Sequence, residues 1–215
     1  MKLYGYWRSS ASWRVRIALH FKGLDFEYAP IHLVKDGGVQ NSEAYRALNP
    51  LGSVPLLEFE QGGRTHRLSQ SLAILEYLEE AHPAPALLPV EPLDRARVRM
   101  LAELVNSGIQ PLQNLAVVKH LKNVLHADEQ AWAAHWIARG LGALEASLAP
   151  SAGLYCVGDA PSFADACLVP QLYSARRYKV ELAPYPTLLR VEQACELLPA
   201  FQAAHADRQP DAVPS

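Results

Sequence analysis

The stretch YWRSSASWRVRIAL, residues 6–19, joins a short apolar segment to a helical pattern and places three serines within four positions at the junction. Trp13, Ile17 and Phe21 recur every four residues, which is the spacing of one helix face. A serine at such a junction is most often the helix N-cap, but only one residue can occupy that position. The N–H groups and the dipole of a helix N-terminus also favour a bound anion. Capping and ligand binding therefore both remain open for these hydroxyls.

Residues 1–82 alternate strand-like and helix-like segments on either side of this junction. The predicted strands are 2–7, 25–33 and the two arms of a hairpin that turns at 61–63; the predicted helices are the one stopped by Gly23, then 41–48 and 71–82. The order βαβαββα predicts a small mixed sheet with helices packed on it, as in a thioredoxin-like domain.

Four prolines within residues 83–93 fix φ and remove backbone donors, which predicts an interdomain linker. Residues 94–215 have an all-helical pattern that begins with Asp94 as the expected N-cap. The last predicted helix covers 185–205, and the polar tail after it is expected to fray. We therefore expect an α/β plus all-α protein, with a thioredoxin-like domain over 1–82 followed by a helical-bundle domain.

The composition argues against several partners. Twenty Lys and Arg against 22 Asp and Glu give a net charge of -2, so no basic field attracts nucleic acid or a membrane surface. The widely spaced Cys156, Cys167 and Cys195 are expected to be buried small residues, and no disulfide or metal site is predicted. The apolar stretch after Met1 is too short for a signal peptide, so we expect a cytoplasmic protein.

Two further segments of the first half are candidates for ligand binding. Val54–Pro55 precedes a strand, where an ordinary trans turn has the higher base rate. In a thioredoxin-like domain, however, a cis proline at this point leaves the preceding backbone able to bind an extended peptide. Gln70 and Ser71 begin a helix whose N-terminus could hold a carboxylate, with Ser69 or Ser71 as its cap.

The segment LVNSGIQPLQNLAVV, residues 104–118, contains no charged side chain and no histidine, so it is expected to be buried or to line a cleft. Asn106, Gln110 and Gln113 would form an amide stripe on a helix that Pro111 should kink. The alternative is that these amides are satisfied within a helical core.

Two residue patterns within 162–177 have structural explanations. Ser162 and Asp165 have the spacing of a capping box, so Asp165 is not expected to be catalytic. Arg176 and Arg177 end the same helix, where cations complement its dipole. Together with Arg8 they would also suit a substrate with two carboxylates, since guanidinium binds carboxylate in a bidentate fork.

Several blocks of the sequence resemble the zeta-class glutathione transferases. SSASWRVRIAL is similar to the signature SSxSxRVRIAL of that family, and KDGG, ALNP, QSLAI, GIQPLQNL, YCVGD and PYPT match other blocks along almost the whole chain. The resemblance implies the glutathione-transferase fold, glutathione as cofactor and a homodimer.

The resemblance also implies roles for individual residues. Ser9 would hydrogen-bond the glutathione sulfur, with Ser10 and Ser12 beside it, while Ala11 replaces a cysteine that is common in the family. The implied contacts to the glycyl, cysteinyl and γ-glutamyl parts are, in that order, Gln40, the backbone of Val54, and Gln70 with Ser71; Gln110 and Asn114 would reach the ligand from the helical domain.

The activity implied by the resemblance is a glutathione-dependent cis–trans isomerisation of a maleyl diacid to its fumaryl isomer. Maleylacetoacetate, from aromatic amino-acid catabolism, is the expected substrate, and Arg8, Arg176 and Arg177 are the candidates for its carboxylates. The alternatives are maleylpyruvate as substrate, conjugation or dehalogenation of small electrophiles such as α-haloacids, and a glutathione-binding scaffold without catalysis.

Overall fold

A computed structural model describes residues 1–213 of the chain, which forms two compact units. Within the described residues, the first unit comprises Met1–Ala86 together with 198–213, and the second comprises Leu87–Leu197. The C-terminal segment thus lies with the first unit, whereas the sequence grouped it with the helical domain. No helix within residues 1–213 combines the length and the apolar character needed to span a membrane.

The elements alternate in the first unit and are helical in the second. In chain order they are β1 (Lys2–Gly5), α1 (Ser10–Phe21), β2 (Glu27–Pro30), α2 (Glu43–Leu48), β3 (Leu56–Gln61), β4 (Arg64–Ser69), α3 (Ser71–Ala81), α4 (Pro92–Asn106), α5 (Leu115–Asn123), α6 (Glu129–Leu148), α7 (Phe163–Arg177), α8 (Pro186–Glu196) and α9 (Pro199–Ala204).

The sheet of the first unit has the strand order β2-β1-β3-β4. Strands β1 and β2 are parallel, whereas β1 with β3 and β3 with β4 are antiparallel. The hairpin between β3 and β4 turns at Gly62 and Gly63, whose φ angles are 60° and 71°. Glycine suits both positions because a two-residue hairpin turn of this type needs positive φ twice. The predicted order βαβαββα and the mixed sheet are confirmed.

Helix α1 is buried on all sides, whereas the sequence predicted a single apolar face. Every residue from Ser12 to Leu19 is buried, including Arg14 and Arg16. The helix packs against α3 and against α9, so the faces occupied by the arginines are also enclosed. Gly23, with a φ of 64°, follows the helix end as predicted.

The C-terminal region differs from its prediction. The expected helix over 185–205 is divided into α8 and α9, because Leu198 precedes Pro199 and adopts an extended conformation. The tail was expected to fray. Instead it continues into a 3-10 turn at Ala206–Arg208, and Asp211 hydrogen-bonds the backbone of Trp7.

Two helix boundaries in the second unit differ from the sequence predictions. Helix α4 begins at Pro92 with Glu91 as N-cap, so the prediction of Asp94 as the cap was wrong. A proline at the first helical position is favourable because its missing N–H has no helical partner there. The expected kink at Pro111 is instead a complete break between α4 and α5, because that proline cannot donate a helical hydrogen bond.

The capping box and the predicted burial of the cysteines are confirmed. Asp165 accepts hydrogen bonds from the Ser162 backbone N–H (2.8 Å) and hydroxyl (2.7 Å) at the start of α7. Its other oxygen accepts the backbone N–H of Cys156 at 2.9 Å. The cysteines named above are all buried.

Candidate functional site

Ser9 is the N-cap of α1. Its extended backbone (φ -67°, ψ 113°) ends the loop from β1, and its Oγ accepts the backbone N–H of Ser12 at 3.2 Å. The Ser9 N–H donates to the carbonyl of Tyr6 at 3.0 Å, which closes the turn before the helix. A hydroxyl has two acceptor lone pairs and one proton, so capping leaves the proton able to donate to an anion. Capping and ligand binding are therefore compatible at this residue.

The hydroxyls after Ser9 differ in accessibility. Ser10 and Ala11 are half-buried at the first helical positions. Ser12 is fully buried, and its Oγ has no hydrogen-bond partner within residues 1–213. A Cβ placed on Gly5 would lie 3.4 Å from that Oγ, so Ser12 faces β1. Ser12 is therefore enclosed in the interior, and Ser9 and Ser10 are the more accessible hydroxyls.

The Val54–Pro55 peptide bond is cis. Val54 lies before β3 and outside its pairing with β1 and β4. Among the described hydrogen bonds, none uses the N–H or C=O of Val54. These groups can therefore pair with the backbone of an extended peptide ligand.

Gln40 lies in a 3-10 turn at Val39–Asn41. Its side-chain N–H donates to the carbonyl of Leu33 at 3.2 Å, while its Oε1 is buried without a hydrogen-bond partner in the described chain. Gly38 has a φ of 95°, and a Cβ there would lie 2.4 Å from the Gln40 amide. The side chain is therefore held against a glycine with one acceptor unused, and that acceptor can bind a ligand N–H.

Gln70 and Ser71 form the start of α3 in an unusual backbone conformation. Gln70 is the N-cap with φ 70° and ψ 107°, a region that a residue with a side chain rarely adopts. Neither Ser69 nor Ser71 caps the helix, so that prediction was wrong. Instead, the Ser71 hydroxyl accepts a hydrogen bond from the buried guanidinium of Arg14 at 3.1 Å.

Arg14 is a residue of this region that the sequence reasoning missed. It is fully buried on α1, and it links that helix to the first residue of α3. A buried cation next to a helix N-terminus strengthens the positive potential there. The sequence shows two arginines among the apolar residues of 13–19, but their burial depends on the helices that enclose α1.

Arg8 lies between Trp7 and the cap of α1. Its guanidinium carbon is 5.3 Å from the Trp7 ring centroid and 5.9 Å from that of Tyr6. Stacking on aromatic faces orients a guanidinium while leaving its in-plane N–H groups able to bind a carboxylate.

The predicted amide residues of the second unit do not form a helical stripe. Gln110 and Gln113 lie in the turns between α4 and α5. Gln113 exchanges hydrogen bonds with Gln171 of α7, at 2.8 and 3.3 Å, which satisfies its amide within the unit. Asn114 is the N-cap of α5 and accepts the N–H of Ala116 at 2.9 Å. The uncharged segment is only partly buried, because Asn114 and Pro111 are exposed.

The two arginines that end α7 differ in their surroundings. Arg176 forms a bidentate ion pair with Glu192, at 2.6 and 2.5 Å, and this carboxylate raises the pKa of the guanidinium. The guanidinium carbon of Arg177 lies 5.7 Å from the Tyr178 ring centroid. Arg176 thus already binds a carboxylate of its own chain.

Family models match both halves of the chain. The glutathione S-transferase N-terminal domain matches residues 8–81, and the glutathione S-transferase C-terminal domain matches residues 118–204. The chain therefore belongs to the glutathione S-transferase family.

Several similar proteins within this family are named maleylacetoacetate isomerase. Maleylacetoacetate isomerase of Rattus norvegicus is 54% identical over 209 residues, which cover 97% of this chain and 94% of the rat protein. One similar crystal structure is that of maleylacetoacetate isomerase from Anaeromyxobacter dehalogenans 2CP-1 with glutathione bound in its active site. Its sequence is 55% identical to this chain and the TM-score is 0.91; the alignment covers 99% of this chain and 97% of the Anaeromyxobacter chain. A second structure of that protein holds dicarboxyethyl glutathione and citrate.

A third relative connects the chain to the zeta class. The holo structure of a maleylpyruvate isomerase, described as a bacterial glutathione S-transferase of the zeta class, is 44% identical with a TM-score of 0.91. The alignment covers 99% of this chain and all of that one. The zeta-class resemblance and the glutathione-transferase fold are thus confirmed.

Proposed function

We propose that this chain is a glutathione-dependent isomerase that converts maleylacetoacetate to fumarylacetoacetate. The observation that carries the proposal is the position of Ser9 at the N-terminus of α1, where its hydroxyl proton can donate to a sulfur. Backbone N–H groups of the same helix end also favour a negative charge. The names of the relatives supply the substrate class, and the chemistry of the site supplies the mechanism.

The residues of the first unit fit glutathione as an extended tripeptide. Val54 offers a backbone N–H and C=O to the cysteinyl part, and Gln40 offers a buried, unused acceptor to the N–H of the glycyl part. The start of α3 at Gln70 and Ser71, next to the Arg14 guanidinium, suits the γ-glutamyl carboxylate. We assign glutathione to these groups in that order.

The charge stabilisation available at α1 suffices to ionise a thiol. A free thiol has a pKa of about 8.5, and each unit of depression corresponds to about 1.36 kcal/mol. A hydrogen bond to a charged atom contributes about 1.5–3 kcal/mol, and a helix N-terminus about 0.3–1 kcal/mol. The two contributions together would lower the thiol pKa by about 1.3–2.9. A substantial fraction of the bound thiol is then ionised at neutral pH.

When bound, glutathione supplies a thiolate that adds reversibly to the cis double bond, so that the carbon skeleton can rotate before the thiolate leaves. In this scheme Ser9 stabilises the sulfur anion before addition and again when the sulfur departs. Ser10 borders the same position. Arg8 binds one carboxylate of the substrate during the rotation, because it lies directly before the cap.

The second unit completes the proposal. Arg177 binds the other substrate carboxylate, and Gln110 and Asn114 contact glutathione. Dicarboxyethyl glutathione in the Anaeromyxobacter protein supports a site for two carboxylates close to the sulfur. We further propose that the enzyme is a cytoplasmic homodimer that acts in aromatic amino-acid catabolism.

Maleylpyruvate is the second candidate substrate, because the zeta-class relative with a TM-score of 0.91 is a maleylpyruvate isomerase. An ultraviolet assay of cis-to-trans conversion, run with and without glutathione on both diacids, tests the proposal. Turnover of maleylacetoacetate with the higher kcat/KM, dependent on glutathione but without its net consumption, is expected. Preference for maleylpyruvate would establish the second candidate, and net glutathione consumption would indicate a conjugating enzyme.

A further inference from the structure

The carboxylate of Asp211 reaches the loop that precedes α1. Its Oδ2 accepts the backbone N–H of Trp7 at 3.0 Å, across a sequence separation of 204 residues. The phenolic O–H of Tyr28, on β2, donates to the same oxygen at 3.4 Å. Trp7 is followed directly by Arg8 and Ser9. A side chain near the C-terminus of the chain therefore holds the backbone two residues before the cap.

The carbonyls of the same loop are held by Arg16, which is fully buried on α1. Its guanidinium donates to the carbonyl of Trp7 at 2.7 Å and to that of Tyr6 at 3.4 Å. Its Nε donates to the carbonyl of Ala204, the last residue of α9, at 3.1 Å. The N–H and the C=O of Trp7 are therefore both bound by charged groups, which form stronger hydrogen bonds than neutral ones.

This network connects directly to Ser9. The carbonyl of Tyr6 that accepts from Arg16 also accepts the backbone N–H of Ser9 at 3.0 Å. A shift of the loop would therefore change both the turn and the direction of the Ser9 hydroxyl. Burial lowers the pKa of Arg16 to about 10, so the guanidinium remains charged at neutral pH and the network stays intact. Burial raises the pKa of Tyr28, which keeps its phenol as a donor to Asp211.

We propose that Asp211 and Arg16 are positioning residues for the thiol-activating serine, so that the C-terminal segment after α9 is part of the catalytic apparatus. The inference rests on the proposed function, because it assigns to this segment the orientation of Ser9 toward the glutathione sulfur. Both residues bind peptide groups of the loop before Ser9. Their effect is transmitted through the peptide groups of Tyr6 and Trp7.

The test compares Asp211→Ala and Asp211→Asn with Asp207→Ala as matched control. Asp207 is an exposed carboxylate of the same segment, with 60% of its side chain accessible. Each variant is assayed for the ultraviolet absorbance of the bound thiolate against pH, the Kd of glutathione by calorimetry, kcat and KM against pH, and Tm.

Asp211→Ala is expected to raise the pKa of the bound thiol by about one, which reduces the thiolate at pH 7 by a factor of about 1.3 to 6.5 for a wild-type pKa between about 5.6 and 7.2. The kcat should fall by a similar factor and recover as the pH rises, while the Kd of glutathione and the KM for the diacid change about twofold or less. Asn can still accept the N–H of Trp7, so Asp211→Asn should restore most of the lost activity. Asp207→Ala should behave like the wild type.

A purely structural role predicts a different result. In that case Asp211→Ala lowers Tm while the thiol pKa and the pH profile stay at the wild-type values, and this outcome overturns the inference. If Asp211→Ala does not fold, Tyr28→Phe replaces it, because it keeps the ring and removes the hydroxyl that donates to Asp211 at 3.4 Å and interacts with Arg16. It should raise the thiol pKa by less than a full unit, and an unchanged value would again overturn the inference. A wild-type complex without thiolate would instead refute the proposed function.

Discussion

Replacing Ser9 by alanine distinguishes two roles of its hydroxyl, capping of α1 and donation to the glutathione sulfur. The first task is capping, since Ser9 Oγ accepts the N–H of Ser12 at 3.2 Å. Loss of a serine cap costs about 0.5–2 kcal/mol of unfolding free energy. The second task is donation to the glutathione sulfur, and loss of a hydrogen bond to a charged atom costs about 1.5–3 kcal/mol. The second value predicts that kcat/KM falls about 10- to 150-fold.

Ser42 provides the matched control for this experiment. It caps α2 in the same manner, with its hydroxyl accepting the N–H of Tyr45 at 3.2 Å. Ser42→Ala should therefore lower the unfolding free energy by an amount similar to Ser9→Ala and leave kcat/KM unchanged. The assays are urea unfolding and the ultraviolet isomerisation rate. If the two variants lose stability equally and both retain full activity, Ser9 is only a cap and the reasoning is refuted.

Three further experiments test the conformation of Gln70, the roles of the two arginines that end α7, and the burial of the cysteines. Gln70→Gly should relieve the strain of the positive φ at that residue and raise the unfolding free energy by about 1 kcal/mol, while calorimetry shows weaker glutathione binding. Gln70→Ala should weaken glutathione binding without raising the unfolding free energy. Equal unfolding free energies for the two variants would contradict backbone strain at this residue. Arg177→Ala should raise the KM for the diacid. Arg176→Ala should instead lower the unfolding free energy by about 1–2 kcal/mol, because it leaves the buried Glu192 without its partner. A raised KM for Arg176→Ala and a loss of stability for Arg177→Ala would exchange their roles. Burial raises the pKa of the Cys156 and Cys195 thiols, so native protein should react with a thiol reagent at least about 100-fold more slowly than unfolded protein; rapid native labelling would contradict the buried positions.

The first unit was predictable because its signals are local. Strand-like and helix-like segments alternate, Gly62 and Gly63 specify the hairpin turn, and Gly23 marks the end of α1. The capping box at Ser162 and Asp165 is likewise defined by spacing within one turn. Such features need only neighbouring residues, so a single sequence is sufficient to find them.

The errors in the prediction involve contacts between distant segments. The sequence gives no sign that Asp211 binds the backbone of Trp7, so its tail was expected to fray. Burial of Arg14 and Arg16 depends on α3 and α9 enclosing α1, which periodicity within the helix cannot reveal. The burial of Ser12 likewise depends on how α1 packs against β1.

The break between α4 and α5 could not be predicted for a different reason. The amide residues Asn106, Gln110 and Gln113 have helical spacing, but the helix ends at the first of them. Gly108 and Pro111 are both tolerated at kinks and at breaks, so the residue types alone do not distinguish the two. The reciprocal pair between Gln113 and Gln171 depends on the packing of α7, which is distant in sequence.

The decisive measurement is the ionisation of glutathione bound to the wild-type protein. Ultraviolet titration of the thiolate in the binary complex should give a pKa between about 5.6 and 7.2, which is the free value lowered by the contributions of Ser9 and the α1 N-terminus. A titration curve that overlays that of free glutathione would contradict the account.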